Sequence, residues 1–175
     1  MSEYGVVTEP GTFRLERVLP RPIERVWAYL TESEKRGKWF ASGEMELRIG
    51  GKVELIFQHS DLSSEKTYPE RYRDTEGHRW VGQITRCDPP RVLAWLDEPA
   101  RGSEVIFELT PRGSDVLLVL THRRIADHKT LLGNAAGWHS HFGILEDNLN
   151  GREPRPFWTT HAKLEAEYQR RIPAE

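Results

Sequence analysis

Two histidines, His139 and His141, stand one residue apart in the stretch WHSHF, and imidazole side chains can bind a metal, transfer a proton or hydrogen-bond a ligand. A metal site on a helix usually requires two histidines four residues apart and a third ligand. At about 100° per residue, these two fall on opposite flanks of an apolar helical stripe that includes Trp138 and Phe142. The spacing therefore predicts no metal site and places the two histidines in different surroundings.

His141 is the more informative of the two because it lies at the edge of the apolar stripe. A histidine in that position either hydrogen-bonds a bound ligand or bonds a strand carbonyl of its own fold. The sequence leaves both interpretations open.

Other catalytic signatures are absent from the sequence, which contains no nucleophile elbow, phosphate-binding loop or dinucleotide-binding turn. Cys87, the single cysteine, has no neighbouring histidine and is predicted to be an inert thiol. The acidic pairs Glu44 and Glu46, and Glu146 and Asp147, are predicted to lie on solvated faces. We therefore assign no catalytic residue, no metal and no cofactor.

Six tryptophans are the other unusual feature, at positions 27, 39, 80, 95, 138 and 158. Trp27 lies on the apolar stripe of the first predicted helix and is expected in the core. Trp39, followed directly by Phe40, either fills the core or lines the mouth of an internal space. Large aromatic side chains around a curved sheet can enclose a cavity as well as fill it.

Hydrophobic periodicity predicts a strand over 11–19 and then an amphipathic helix with Pro22 at its first position. The TESE stretch resembles a capping box headed by Thr31, which predicts a second short helix as far as about Trp39. A hairpin is predicted over 44–57, where alternate residues on both arms face a core.

The polar connection 59–78 has no apolar period and is predicted to be a lid or a disordered flap. Strand-like runs follow at 78–87, 91–98 and 103–125, and the last is broken into a hairpin by PRGSD. Their alternation indicates an antiparallel sheet that is dry on one face and wet on the other.

A long helix is predicted from about Leu132 to Gly151, and helical spacing resumes over 157–172. Only the long helix is extensive enough to cover the apolar face of the sheet. We predict an α+β fold in which about six or seven antiparallel strands curve around this helix, with two short helices after the first strand. Residues 1–175 should form one domain, with a core at about 12–151 and a helical extension at about 154–172.

The composition excludes several classes of protein. With 25 basic and 27 acidic residues, the chain has a formal net charge of -2 and lacks the basic stripe that nucleic-acid binding requires. No apolar run is long enough for a signal peptide or a membrane span. We expect a cytoplasmic protein that binds no nucleic acid.

The stretches RVLPRPIERVWAYLTESEKRGKWF, RCDPPRVLAWLDE, FELTPRGSDVLLVLTHRRI and AAGWHSHFGILEDNLNG resemble the SRPBCC superfamily, also called START-like or Bet v 1-like. The closer resemblance is to the branch of bacterial homologues of the activator of Hsp90 ATPase. The resemblance implies a helix-grip fold with an apolar cavity between sheet and helix. By position, the residues around that cavity would be Trp39, Phe40, Met45, Phe57, Trp80, Trp95, Phe107, Trp138, His141, Phe142 and Leu145.

Members of this superfamily bind lipids, polyketides and other hydrophobic molecules, and a few are enzymes. The leading hypothesis is a binding module for a small hydrophobic or amphipathic ligand. A second is a co-chaperone or other protein-interaction role, including self-association, with an exposed apolar patch near Trp158. A third is a cavity enzyme of the hydrolase, cyclase or dehydratase type, with His141 or a buried carboxylate as the acid or base.

Overall fold

A computed structural model of the protein describes residues 2–97 and 102–174. Two 3-10 turns, His59–Asp61 and Glu70–Thr75, lie in the connection between the third and fourth strands. The strands and helices are, in chain order, β1 (Val6–Glu9), β2 (Thr12–Pro20), α1 (Ile23–Thr31), α2 (Ser33–Arg36), β3 (Lys52–Phe57), β4 (His78–Asp88), β5 (Val92–Asp97), β6 (Ser103–Arg112), β7 (Asp115–Arg123), α3 (His128–Leu149) and α4 (Phe157–Arg171).

The strands form one curved antiparallel sheet in the order β1-β2-β7-β6-β5-β4-β3. Strands β2 and β7, far apart in the chain, pair from Phe13↔His122 to Pro20↔Asp115. Alternate residues of β7 are buried on one face, as the period of two predicts. The predicted α+β architecture of sheet and long helix is confirmed. Glu98, the last residue of the strand predicted over 91–98, lies outside the described residues.

Helix α3 packs across the sheet and begins one turn before the predicted Leu132. The side chain of Asp127 accepts a hydrogen bond from the backbone N–H of Thr130, so Asp127 is the N-cap. At the other end Gly151 has φ +66°, a left-handed conformation that glycine adopts without strain. The predicted terminal helix is present as α4, which packs along α3.

Two predictions near the N-terminus are wrong. Thr31 is the last residue of α1, and its hydroxyl donates to the carbonyl of Trp27, so it caps no second helix and α2 is only one turn long. Trp27 itself is partly buried rather than enclosed in the core. Strand β1 was not predicted, because all four of its residues are exposed and the strand carries no amphipathic period.

The first arm of the predicted hairpin over 44–57 is not a strand. Met45 makes one isolated bridge to Val53, while Leu47 and Ile49 are 44% and 73% exposed instead of facing the core. Its pairing with β3 is irregular, since the N–H of Glu46 bonds the carbonyl of Lys52 while the side chain of Glu46 accepts the N–H of Lys52, and a turn follows in which the N–H of Arg48 bonds the carbonyl of Glu46.

The connection 59–78 is a packed segment rather than a disordered flap. Leu62 is buried in the core cluster, and Glu65 accepts hydrogen bonds from the N–H and hydroxyl of Thr159 on α4. Farther along, Arg71 forms an ion pair with Glu165 of α4. The polar sequence of the connection does not indicate these contacts, because they join residues about ninety positions apart.

Arg36 is fully buried and fixes the turn that follows α2. Its guanidinium donates to the carbonyls of Leu30, Thr31, Ala41 and Gly43. Burial lowers the pKa of Arg36 to about 10, so the group remains charged at neutral pH. The guanidinium group thus joins the end of α1 to the turn at 41–43.

We expect Arg36→Met to lower the free energy of unfolding by about 3 kcal/mol, because it leaves four carbonyls without their donor. Urea unfolding followed by circular dichroism measures the loss. Lys35→Met, at a neighbour whose side chain is 41% exposed, is the control and should change stability by less than about 0.5 kcal/mol. Equal stability of the two variants would contradict the role assigned to Arg36.

Candidate functional site

A cavity of about 470 Å³ lies between the sheet and α3. Its sheet wall is made mostly of apolar side chains, and its helix wall is made of residues from the first two thirds of α3. Exposed Asp74 and His78 lie where it meets solvent. The lining residues are Phe40, Leu55, Phe57, His59, Asp74, Thr75, His78, Trp80, Trp95, Asp97, Val105, His122, Gly133, Asn134, Gly137, Trp138 and His141.

Strand register builds the sheet wall. Trp95 is paired with Val105, and Val105 is paired with His122, so the three stand side by side on one face of the sheet. All three are at most 2% exposed. Their row is therefore the floor of the cavity, with β5, β6 and β7 each supplying one side chain.

The helix wall is open because α3 carries glycine where a side chain would point inward. Gly133, Gly137 and His141 are four residues apart and share one helix face. A Cβ at either glycine would meet nothing within 4 Å. This spacing was visible in the sequence and is the signal by which the open face could have been found.

Trp138 is held in place from two directions. Its ring stacks on Phe40 with centroids 4.9 Å apart and lies edge-on to Phe107 at 5.7 Å. Its indole N–H donates to Nδ1 of His122 over 3.1 Å. The indole ring of Trp138 on α3 is thus hydrogen-bonded directly to β7 of the sheet.

His122 was missed as a site residue. It continues the buried alternation of Leu118 and Leu120 on β7, so the period of two already placed it on the core face. Burial lowers its pKa to about 4, and the imidazole is neutral at pH 7. Within the described part of the chain, Nε2 of His122 is buried without a hydrogen-bond partner.

His141 both bonds its own fold and lines the cavity. Its Nδ1 lies 2.8 Å from the carbonyl oxygen of Trp39, which accepts the Nδ1–H. Burial holds the pKa of His141 well below its usual range, so the ring is neutral and Nε2 carries a lone pair. The two interpretations left open by the sequence are therefore compatible, although the carbonyl belongs to a turn and not to a strand.

His139 faces the other way, toward α4. Its Nδ1 lies 2.8 Å from the hydroxyl of Tyr168, which also accepts the N–H of Gly5. Burial lowers the pKa of His139 to about 3. The prediction that the two histidines of WHSHF have different surroundings is confirmed.

His59 was also missed because it stands in a polar connection. The ring is buried in an aromatic cluster, 5.1 Å from Phe157, 5.0 Å from Trp158 and 5.5 Å from His141. Burial, and then the nearby His161, lowers its pKa to about 4. Its Nδ1 has no hydrogen-bond partner among the described residues.

Six of the residues predicted around the cavity line it, namely Phe40, Phe57, Trp80, Trp95, Trp138 and His141. Of the other five, Met45 is partly buried against the core, and four lie in the packed interior, namely Trp39, Phe107, Phe142 and Leu145. The reason is that the cavity ends near His141, so later residues of α3 pack fully. Phe107 lies behind Trp138, and Trp39 is fully buried, with its indole N–H bonded to the carbonyl of Tyr29.

Two further expectations about surface residues are wrong. Asp147 is 4% exposed and accepts hydrogen bonds from Arg155 and Arg152, so it is an interior ion-pair partner outside the cavity. Trp158 is 5% exposed and stacks on Tyr72 at 5.0 Å, so it forms no exposed apolar patch.

Residues 2–97 and 102–174 contain no group of three histidine, cysteine, aspartate or glutamate side chains that could hold a metal ion. None of the helices in those ranges combines the length and apolar character needed to cross a membrane. Burial and the nearby Asp88 raise the pKa of Cys87, which favours its thiol form.

A curved antiparallel sheet closed by a long helix, with a cavity between them, defines the helix-grip class of the SRPBCC superfamily. Residues 20–150 match the family model described as activator of Hsp90 ATPase homolog 1-like protein, and the chain belongs to this family.

Solved structures similar to this chain come from several bacteria. The protein encoded by gene BPP1335 of Bordetella parapertussis is 42% identical, with 98% of this chain and 92% of that chain covered and a TM-score of 0.81. CalU16 from Micromonospora echinospora is 20% identical, with 98% and 96% covered and a TM-score of 0.69. The Aha1 dimer from Colwellia psychrerythraea is 15% identical, with 79% and 95% covered and a TM-score of 0.61. A search of curated proteins gave no match.

The buried histidines predict how stability depends on pH. Because the pKa of His59 is about 4 in the folded protein and about 6.5 when unfolded, the unfolded chain takes up the proton first as the pH falls through this window. His59 therefore reduces stability progressively below about pH 6.5.

We expect His59→Phe to remove this loss, so that the variant gains about 2 kcal/mol relative to wild type between pH 7 and pH 5. Urea unfolding at both pH values measures the difference. His128→Phe, at an exposed position, is the control and should follow the wild-type pH dependence. If the free energy of unfolding of the two variants depends on pH in the same way, the assignment of His59 as a buried, neutral group is wrong.

Proposed function

We propose that the chain is a cytoplasmic binding module that holds a small hydrophobic or amphipathic ligand between the sheet and α3. The observation that carries this proposal is the open apolar space itself. Its volume, about 470 Å³, falls within the range of about 300–1,000 Å³ that is common for small-molecule sites. Aromatic walls with a few placed polar atoms are typical of such sites.

The glycines of α3 strengthen the argument. A glycine inside a helix is less stable than alanine by about 1 kcal/mol. Both Gly133 and Gly137 have room for a side chain, so the helix gives up stability where it faces the cavity. Helical glycines in such positions are expected where the open volume holds a ligand.

Catalysis has less support from the site. His141 is neutral, and burial makes it a weak base, while the buried carboxylates of Glu104 and Asp147 are bonded to arginines outside the cavity. None of these groups is poised to transfer a proton near neutral pH.

The family description favours a second candidate, a contact with Hsp90. A solved relative is named as an Aha1 dimer, which also makes self-association a candidate. Adding the protein to its host's Hsp90 and measuring ATP hydrolysis tests the first. Sedimentation of the free protein tests the second. Stimulation without any small-molecule binding would replace the leading proposal.

Gly137→Leu is expected to weaken ligand binding at least tenfold, because the added side chain occupies the cavity. Since a Cβ at this position clashes with nothing, the variant should be as stable as wild type or more so by about 1 kcal/mol. Thermal-shift screening with fatty acids, isoprenoids and aromatic polyketides, followed by native mass spectrometry, first identifies ligands of the wild type.

The matched control is Ala162→Leu, which adds the same side chain to an exposed position on α4. It should bind as wild type does. Undiminished binding by Gly137→Leu would place the ligand elsewhere, and failure of the wild type to bind any member of the three classes would overturn the proposal.

A further inference from the structure

One nitrogen on the cavity floor has its chemistry fixed by geometry. An indole N–H can only donate a hydrogen bond, so the Trp138 bond requires a lone pair on Nδ1 of His122. A neutral imidazole with a bare Nδ1 carries its hydrogen on Nε2. Protonating Nδ1 would set two donors against each other, so the bond itself opposes the charged form.

The Nε2–H of His122 is therefore a hydrogen-bond donor in the protein's interior. His122 is 2% exposed and lines the cavity, and its Nε2 is bonded to nothing in the described part of the chain. A buried N–H without an acceptor is destabilising, and such groups are rare in folded proteins. The two residues paired with His122 on the neighbouring strands, Phe13 and Val105, are apolar and offer no side-chain acceptor, which leaves the cavity as the side from which an acceptor can approach.

The charges around the cavity restrict what that acceptor can be. The ionisable lining residues, apart from histidines, are Asp74 and Asp97, and no lysine or arginine occurs among the described lining residues. Among the described lining residues, a carboxylate entering this space would meet two acidic side chains and no cation to replace the water it loses. An uncharged oxygen can accept the hydrogen bond without that loss.

We propose that the cavity selects uncharged, largely apolar molecules whose carbonyl or ether oxygen accepts the Nε2–H of His122. This inference rests on the proposed function and specifies its ligand class. It separates neutral ketones, esters and ethers from fatty-acid anions and from plain hydrocarbons. His122 supplies the specificity, and the aromatic walls supply the apolar contact.

Three probes of similar size test the proposal: benzophenone, diphenylmethane and diphenylacetate. Isothermal titration of the wild type should show benzophenone binding about tenfold more tightly than diphenylmethane, with diphenylacetate the weakest. In His122→Phe the two uncharged probes should bind equally, with the affinity for diphenylmethane retained. Ala162→Leu should keep the wild-type order.

A measurement on the wild type guards against a variant that does not fold. In protein labelled with ¹⁵N-histidine, the His122 signals should show the Nε2–H tautomer, and its Nε2 signal should shift with benzophenone but not with diphenylmethane. Equal binding of the two uncharged probes to wild type, or the Nδ1–H tautomer, would overturn this inference alone. If none of the three probes binds while a member of the screened ligand classes does, the inference fails and the proposed function stands; if neither probes nor screened classes bind, both fail.

Discussion

The burial of α3 is the constraint on which the other elements depend. The helix has thirteen buried residues, and these include His139, Ser140, His141 and Asp147. A helix enclosed in this way needs an internal partner for each polar side chain. Tyr168 of α4, the carbonyl of Trp39 and the arginines after α3 provide most of them. The terminal helix and the turn after α2 are thus parts of the enclosure, not additions to a finished fold.

The cavity persists because its walls are held apart by fixed side chains. Trp138 stacks on Phe40, bonds His122 and shields Phe107, so the helix cannot settle farther onto the sheet without breaking these contacts. On the outer side, Glu165 of α4 accepts a hydrogen bond from the hydroxyl of Tyr72 and pairs with Arg71, which secures the turn that carries Asp74 and Thr75. Aromatic contacts and a few polar bonds therefore frame an apolar space between two rigid layers.

Periodicity and caps in the sequence predict the long strands and both long helices, because these signals are local. Strand β1 has no buried face and gives no such signal, while the alternating residues around Glu46 bond to Lys52 of β3 without forming a regular strand. Six of the eleven residues predicted around the cavity line it, because the period of a strand or helix determines which face a residue is on. Tertiary packing decides whether Phe107 or Trp138 lines the cavity. The ring of His59 contacts Phe157 of α4, about a hundred residues away, which no local pattern indicates.

The glycines on the cavity face of α3 set the volume of the cavity against the stability of the helix. In many proteins a change in specificity is accompanied by a loss of stability, which other substitutions must offset. Here a side chain added at position 133 or 137 shrinks the space while it improves the helix. A smaller cavity is thus downhill in folding free energy, so under the proposed function single substitutions that restrict the ligand would also stabilise the fold.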